Sequence, residues 1–480
     1  MSTLERFFGL KDANDRILDL AKTLALFLPL VSATVTLSTT FYTIFVAEAV
    51  GNGSYIEGLS VVGILVAVQL AVQTGLDYPT GAIGDWIGQR YIISSAFVCF
   101  AAGFYLTSFV TSGTPIVLLI AIYGLQGIGN SQLSGAFQAW FDNNYTAAMP
   151  GDQQRKQFGV LWGRVGMLFQ IVSTAALIPG SILAAILGRA WVFQLQGVLC
   201  GIIAIVVMLA IEDFPEVEAV RPDKPSLEEY TGVLKDGVRY LFSDKWILYV
   251  ILGGTIVMST STVWGQLILF PMYFSYLLTD VAVSSFRTLL FFAGIISQER
   301  SGVWSKRFDP ETWIPRFRVL QSVGFVFYIA FAAIMQFLPP DPSSNMVTFL
   351  FPFTDLVVLQ VPSSSILPIT MMAITFTVTG FFGGFAQILT QREMVDVVPN
   401  KIRNSLYSLS PTISTLLAIP QIVFFGWLIG VAGFPLTLTL CGIISLSGAA
   451  VIRHGLNHEK PTLVNGSEKQ EDTISIMAEE

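Results

Sequence analysis

Residues 190–211 read AWVFQLQGVLCGIIAIVVMLAI, from Ala190 to Ile211, without one charged side chain. At 1.5 Å per residue, a helix of this length crosses the ~30 Å hydrocarbon layer of a bilayer. Lipid offers no partner for a bare backbone amide, so the helix is the form that satisfies every N–H and C=O within the segment. A β-barrel would need short alternating strands, which this sequence lacks. Working outward, comparable apolar runs fall at about 23–47, 58–80, 91–111, 114–141, 158–187, 246–278, 282–304, 316–338, 366–391, 403–430 and 433–453. The expected fold is therefore an all-α integral membrane protein of about twelve transmembrane helices.

Composition points the same way. Of 480 residues, 53% are hydrophobic and 12% charged, with a mean hydropathy of +0.66, whereas a soluble domain carries about a quarter charged residues. The net charge of −7 is collected mainly in 212–236 and 459–480. No basic footprint for nucleic acid results. Cys99, Cys200 and Cys441 each fall inside an apolar run, and His454 and His458 lie in the C-terminal tail. That distribution predicts neither a disulfide framework, a metal site nor a thiol nucleophile. There is no Gly-x-x-x-x-Gly-Lys-(Ser/Thr) loop and no cluster of catalytic side chains, so an enzyme or ATP-driven pump has no support and no cofactor is expected. The first ~20 residues mix Arg6, Lys11 and Arg16 with Glu5, Asp12, Asp15 and Asp19, and read as an amphipathic lead-in rather than a cleaved signal peptide.

Basic residues orient the spans. With the N-terminus inside, the inner loops hold Arg90, Arg155, Lys156, Arg221 through Lys245, Lys306, Arg307, Arg316, Arg318, Arg392, Lys401 and Arg403, while the outer loops hold Arg189 alone. Both termini are expected in the cytoplasm of a cell-membrane protein. The long polar interruption divides the chain into an N-terminal six-helix bundle (1–211), a linker (212–245) and a C-terminal six-helix bundle (246–455), followed by an acidic tail (456–480). Within the linker, 228–242 repeats apolar residues at helical spacing, as in an amphipathic helix along the inner membrane face. Asp142, Pro150, Arg155 and Phe158 after span four recur in type and order as Asp396, Pro399, Arg403 and Tyr407 after span ten. Such six-plus-six pseudo-symmetry suits alternating access around a midplane site.

The loop after span two reads Pro79-Thr80-Gly81-Ala82-Ile83-Gly84-Asp85-Trp86-Ile87-Gly88-Gln89-Arg90. It resembles the signature of the major facilitator superfamily, Gly-x-x-x-Asp-(Arg/Lys)-x-Gly-(Arg/Lys)-(Arg/Lys), at Gly81, Asp85, Gly88 and Arg90, and departs from it at Trp86 and Gln89. The resemblance implies a secondary transporter in which this loop, with Asp77 one turn above it, belongs to the inner gate. In the second half, Gly302 and Arg307 keep part of the pattern, but Lys306 stands where Asp would. Span four has Tyr123-Gly124-Leu125-Gln126-Gly127-Ile128-Gly129, similar to the family's Arg-x-x-Gln-Gly-x-Gly with Tyr123 in place of the arginine linked to proton coupling. In span five, Pro179-Gly180 is only a remnant of the drug/proton antiporter pattern. Both departures argue against drug/proton antiport. Ser134-Gly135-Ala136, leading to Trp140 and Asp142, resembles a prokaryotic subset of the family.

Polar residues four apart share a helix face. Span one carries Ser32, Thr36, Thr40 and Thr43; span four Gln126, Asn130, Ser134 and Gln138; span seven Thr255, Ser259, Thr262 and Gln266; span ten Thr375, Thr379 and Gln387. These are helices 1, 4, 7 and 10, the pore-lining set of the resembled family, and they mark a candidate solute cavity. The competing reading of each hydroxyl is a bond back to its own helix. Ionisable side chains inside spans cost ~2.5–3.5 kcal/mol on insertion scales and so point to function. Arg164 in span five and Arg287 in span eight are candidates for solute contact or for snorkelling. With no mid-span carboxylate to neutralise them, inward-pointing arginines would favour an anionic or polyhydroxylated solute. The expected partners are that solute, the lipid bilayer and a coupling ion where transport is driven, and the chain is expected to act as a monomer. The alternative is a transporter-shaped sensor or scaffold, which the acidic tail and the segment 339–365, with Pro339 and Pro340, would suit.

Overall fold

Asn14 starts the first helix. Its side-chain oxygen accepts the Ile17 amide (2.9 Å), capping α1 (Asp15–Thr36), while its Nδ2 donates to the Ala148 carbonyl (2.6 Å) at the far end of the fourth span. The structure, a computed structural model, describes residues 7–8, 10, 14–152, 156–221, 232, 235, 237–305, 322–350, 357–397 and 400–461. After α1 come α2 (Tyr42–Val50), α3 (Tyr55–Ile87), α4 (Gln89–Thr107), α5 (Ile116–Leu133), α6 (Ala136–Ala148), α7 (Lys156–Leu187) and α8 (Arg189–Ala210). A short α9 (Pro215–Ala219) follows. Then α10 (Lys245–Val263), capped by Asp244 on the amides of Trp246 (2.7 Å) and Ile247 (3.3 Å), runs through a π turn (Trp264–Ile268) into α11 (Leu269–Leu277). The remainder is α12 (Asp280–Ser305), α13 (Val323–Phe337), α14 (Ile366–Val397) and α15 (Asn400–Gly455).

Nine described helices are long and apolar enough to cross a membrane. Helix α15 holds two spans joined at Gly433, whose φ of 76° breaks the helical path where a side chain would be strained. Counting those two separately, and adding α12 and the fifteen-residue α13, places helical segments at the twelve expected positions. Three spans are not the single rods that their hydropathy suggests. Span one is interrupted between Thr36 and Tyr42, span four at Ser134–Gly135, and span seven by the π turn.

Segment 339–365, unusual in the sequence, contains an antiparallel hairpin. Strand β1 (Met346–Leu350) pairs with β2 (Val357–Pro362), Met346 opposite Pro362 and Val347 opposite Val361. Ser365 Oγ donates to the Tyr276 carbonyl (2.7 Å) and Tyr276 Oη to the Leu338 carbonyl (2.8 Å), anchoring the strand-bearing segment on α11. The hairpin therefore travels with the second bundle.

Helices up to Ala210 pack into one bundle, with a buried core that includes Leu24, Phe97, Phe141 and Phe193. Helices from Lys245 onward form the other. Its core extends across the boundary, because Leu59, Val62 and Val66 of α3 lie in one cluster with Ile422, Phe425 and Ile429 of α15. A second seam runs between α7 and α12, where Thr288 Oγ1 reaches the Thr174 carbonyl (3.4 Å). Residues 237–241 of the amphipathic pattern are helical, and in the repeat Asp396 lies on α14 and Arg403 and Tyr407 on α15, while Pro399, Lys306, Arg307 and the tail beyond 461 fall outside the described residues.

Candidate gates and solute path

At one end of the bundle, α3 stops at Ile87 because Gly88 takes φ 104° and ψ 139° and turns the chain straight into α4. Gln89 Nε2 donates to Asp85 Oδ1 (2.9 Å), so the amide that replaces the family's basic residue hydrogen-bonds the acid. Arg90 Nη2 donates to Tyr91 Oη (3.0 Å), with its guanidinium 4.9 Å from that ring centroid. Asp77 is half-buried, two turns before Asp85 and near the break in span four at Ser134. Gly81 lies between them on α3.

The start of the linker docks on this loop. Trp140 Nε1 donates to the Glu212 carbonyl (3.1 Å) and Asn144 Nδ2 to Asp213 Oδ1 (2.8 Å). Asp213 also pairs with Arg221, whose guanidinium covers Gly88. A cleft of about 590 Å³ remains, lined by Asp85, Gln89, Asp142, Glu216 and Arg221 among others. Outside the spans, the Arg16 guanidinium at 2.7 Å holds the Glu216 carboxyl below its ordinary pKa.

A Cβ at Gly88 would sit 2.8 Å from Arg221 Nη2, and the φ there is closed to other residues in any case. Gly88→Ala is expected to lower stability by about 1–3 kcal/mol, read as a drop in thermal midpoint. Gly53→Ala, at φ 95° with nothing within 4 Å, isolates backbone strain. Equal losses in the two variants would show that the Arg221 contact contributes nothing.

The polar stripe divides among several contacts. Thr36 Oγ1 donates to the Ser32 carbonyl (2.7 Å) and reaches the Ser173 carbonyl of α7 (3.2 Å); Thr40 is buried and bonds Ser181 (3.0 Å). Gln126 is buried against Gly103 of α4, whose added Cβ would lie 2.8 Å from Gln126 Nε2. Asn130 is half-buried and its carbonyl accepts the Ser134 amide (2.9 Å), while the Ser134 side chain is exposed. Ser259 accepts from Gln421 Nε2 of α15 (2.8 Å). Thr262 and Thr379 donate to the carbonyls four residues back, at 3.1 and 2.6 Å. Gln266, in the π turn, and Gln387 are exposed. Arg164 is exposed and donates to the Phe7 carbonyl (3.1 Å), which ties it to the N-terminal segment. Arg287 is half-buried, 5.6 Å from the Phe376 ring centroid.

At the opposite end a charge triad joins the two bundles. Arg189 donates Nε to Asp280 Oδ2 (2.7 Å), Nη2 to Asp280 Oδ1 (2.8 Å) and Nη1 to Glu48 Oε2 (2.6 Å). Arg189 and Glu48 belong to the first bundle and Asp280 to the second, and their side chains are 17%, 34% and 10% exposed. The Arg189 guanidinium also lies 5.4 Å from the ring of Phe274, which meets Tyr55 at 5.5 Å. Beneath the triad, Gly63 and Gly426 bring α3 and α15 into backbone contact.

The sequence model of the Major Facilitator Superfamily matches residues 24–360. The chain belongs to this family. Among solved structures, a point mutant of the nucleoside transporter NupG superposes with a TM-score of 0.65 at 12% identity, over 90% of this chain and 99% of that one. A bacterial homologue of the human lysosomal transporter Spinster, in an inward-facing and occupied conformation, gives 0.61 at 14% identity, over 91% and 96%. At these identities the likeness is one of fold. No curated protein matches.

For this major facilitator protein, sequence reasoning missed the triad. Arg189 stood out as the only basic residue in the outer loops, and Glu48 and Asp280 close span one and open span eight on the same side. A search for opposite charges at span ends of the two halves would have found it.

Proposed function

We propose that this protein moves a small solute across the cell membrane by alternating access, the two bundles rocking about a central path. The observation that carries this reading is the triad joining the bundles at one end while the Asp85 loop and its cleft occupy the other. The basic-loop asymmetry makes the Asp85 end cytoplasmic and the triad end external, so the arrangement corresponds to a state sealed on the outside. Thr40, Gln126 and Ser259 then serve packing within their halves, whereas Gln266, Gln387 and Arg287 stay candidates for the path. The Asp85 loop acts as the inner gate when that end closes.

Counterflow into proteoliposomes, run with a panel holding a sugar, an amino acid, an organic acid and a nucleoside, tests the proposal. Asp85→Asn keeps side-chain volume and removes charge, and is expected to slow counterflow about tenfold at equal protein load, an effect of ~1.4 kcal/mol. Unchanged counterflow in Asp85→Asn would remove the gating role. Absence of counterflow for the whole panel in the wild type would favour the sensor reading.

A further inference from the structure

Helix α12 separates its neighbours by direction. Phe286 meets Tyr273 of α11 (ring centroids 5.0 Å, interplanar 85°), and Thr288 reaches α7 of the other bundle. Leu289 and Phe292 are exposed. At 100° per residue, Arg287 lies about 170° around the helix from the mean direction of Leu289 and Phe292, and between the directions of Phe286 and Thr288. It therefore points away from the exposed face, into the second bundle and toward α14. Phe376 of α14 covers its guanidinium from the side. No carboxylate among the described residues pairs with it, and Tyr273 of α11 is held at this turn of α12 by its ring contact with Phe286, the residue before Arg287. Tyr273 is itself fully buried, and its hydroxyl has no hydrogen-bond partner among the described residues. Arginine in a membrane interior is costly, and unpaired buried polar groups add to that cost. A cation without a carboxylate partner and a buried, unpartnered hydroxyl donor on the next helix suit an incoming acceptor.

We propose that Arg287 and Tyr273 form the recognition point for an oxyanion, carboxylate or phosphate, on the molecule this protein binds. The idea rests on the transport reading for its biological sense but not for its test. The guanidinium grips two oxygens in parallel, the Tyr273 hydroxyl donates a third bond, and Phe376 keeps the cation in place through its ring face. Thr288, the next residue, reaches α7, so a bound oxyanion lies near the joint between the bundles.

The full chain in nanodiscs of neutral phosphatidylcholine is heated with probe pairs that differ in charge: succinate against succinamide, and glycerol 3-phosphate against glycerol, each at about 10 mM so that weak binding still registers. A charged member is expected to raise Tm while its neutral partner does not. Arg287→Gln abolishes the rise, and Arg287→Lys weakens apparent affinity about tenfold, because a point charge lacks the fork. Without any probe, Arg287→Met should raise Tm, since an unsatisfied cation is removed; a fall in Tm overturns the proposal by revealing a structural pair. No response to either anion, an equal response to the neutral partners, or a response that survives Arg287→Gln overturns it as well. Replacing part of the lipid with phosphatidylglycerol separates the sources: an Arg287-dependent rise with that lipid but not with soluble anions places the oxyanion on a lipid headgroup. Failure here with counterflow of a neutral solute intact would leave transport standing, and anion binding without counterflow would do the reverse.

Discussion

Asp280→Asn is expected to release the sealed end. Arg189 lies in a low-dielectric setting, and its bidentate grip on Asp280 is the part of the triad that crosses between the bundles. Removing one carboxylate charge leaves Arg189 bound to Glu48 within its own bundle, so the variant retains a paired arginine but loses the cross-link. Breaking a buried pair outright costs about 3–5 kcal/mol; with Glu48 still in place, about 2 kcal/mol is the better figure, a shift of roughly thirtyfold toward separated ends. Spin labels at Ser112 and Ser343, both exposed and on loops at this end, report the change directly. The distance distribution between them should move to longer values in Asp280→Asn. Identical distributions in wild type and variant would mean that the triad does not hold the seal.

The second large effect is steric. A Cβ on Gly63 would lie 2.8 Å from the Ile422 carbonyl oxygen and 3.2 Å from Gly426 Cα, and one on Gly426 would lie 2.7 Å from the Leu59 carbonyl oxygen. These obstacles are backbone, so no rotamer change relieves them. Gly63→Val must push α3 and α15 apart, with a cost of about 1–3 kcal/mol typical of overpacking, concentrated on the state in which this seam is closed. Counterflow should fall by at least about tenfold, and the Ser112–Ser343 distance should lengthen. Gly75, on the same helix with nothing within 4 Å of its added Cβ, is the control: Gly75→Val should leave both readouts near wild type. Full counterflow in Gly63→Val would show that the seam tolerates a wider spacing.

The fold was legible because long apolar runs allow few solutions in lipid, and helices appear where residues 190–211 and their counterparts demanded them. What periodicity could not deliver was the neighbour each face meets. The stripe Ser32, Thr36, Thr40 does mark one face of span one, yet Thr40 is engaged by Ser181, and Thr36 bonds its own helix and α7. Thr262 and Thr379 likewise bond back to their own helices, the use that a hydroxyl finds most easily in a span. Arg164 and Arg287 looked equivalent as intramembrane charges, but one is taken by the Phe7 carbonyl and the other is not paired with any described carboxylate. Glu48 and Asp280 look like ordinary loop acids until the tertiary structure brings them to one arginine. The hairpin at 346–362 was visible only as odd composition, because each strand is five or six residues long and sits between two helices.

The π turn at Trp264–Ile268 bears on how this chain is compared with others. Its hydrogen bond runs from the Leu269 amide to the Trp264 carbonyl, five residues back instead of four. In sequence terms that is a single inserted residue, and everything after it is rotated about 100° relative to a continuous α-helix. Aligning the seventh span with a relative that has a regular helix thus requires a one-residue gap within 264–268. Ser259 and Thr262 belong to one alignment block, Tyr273 and Tyr276 to another. A role known at a given position elsewhere can be transferred within a block, but carried across the gap without correction it lands on the wrong side of the helix.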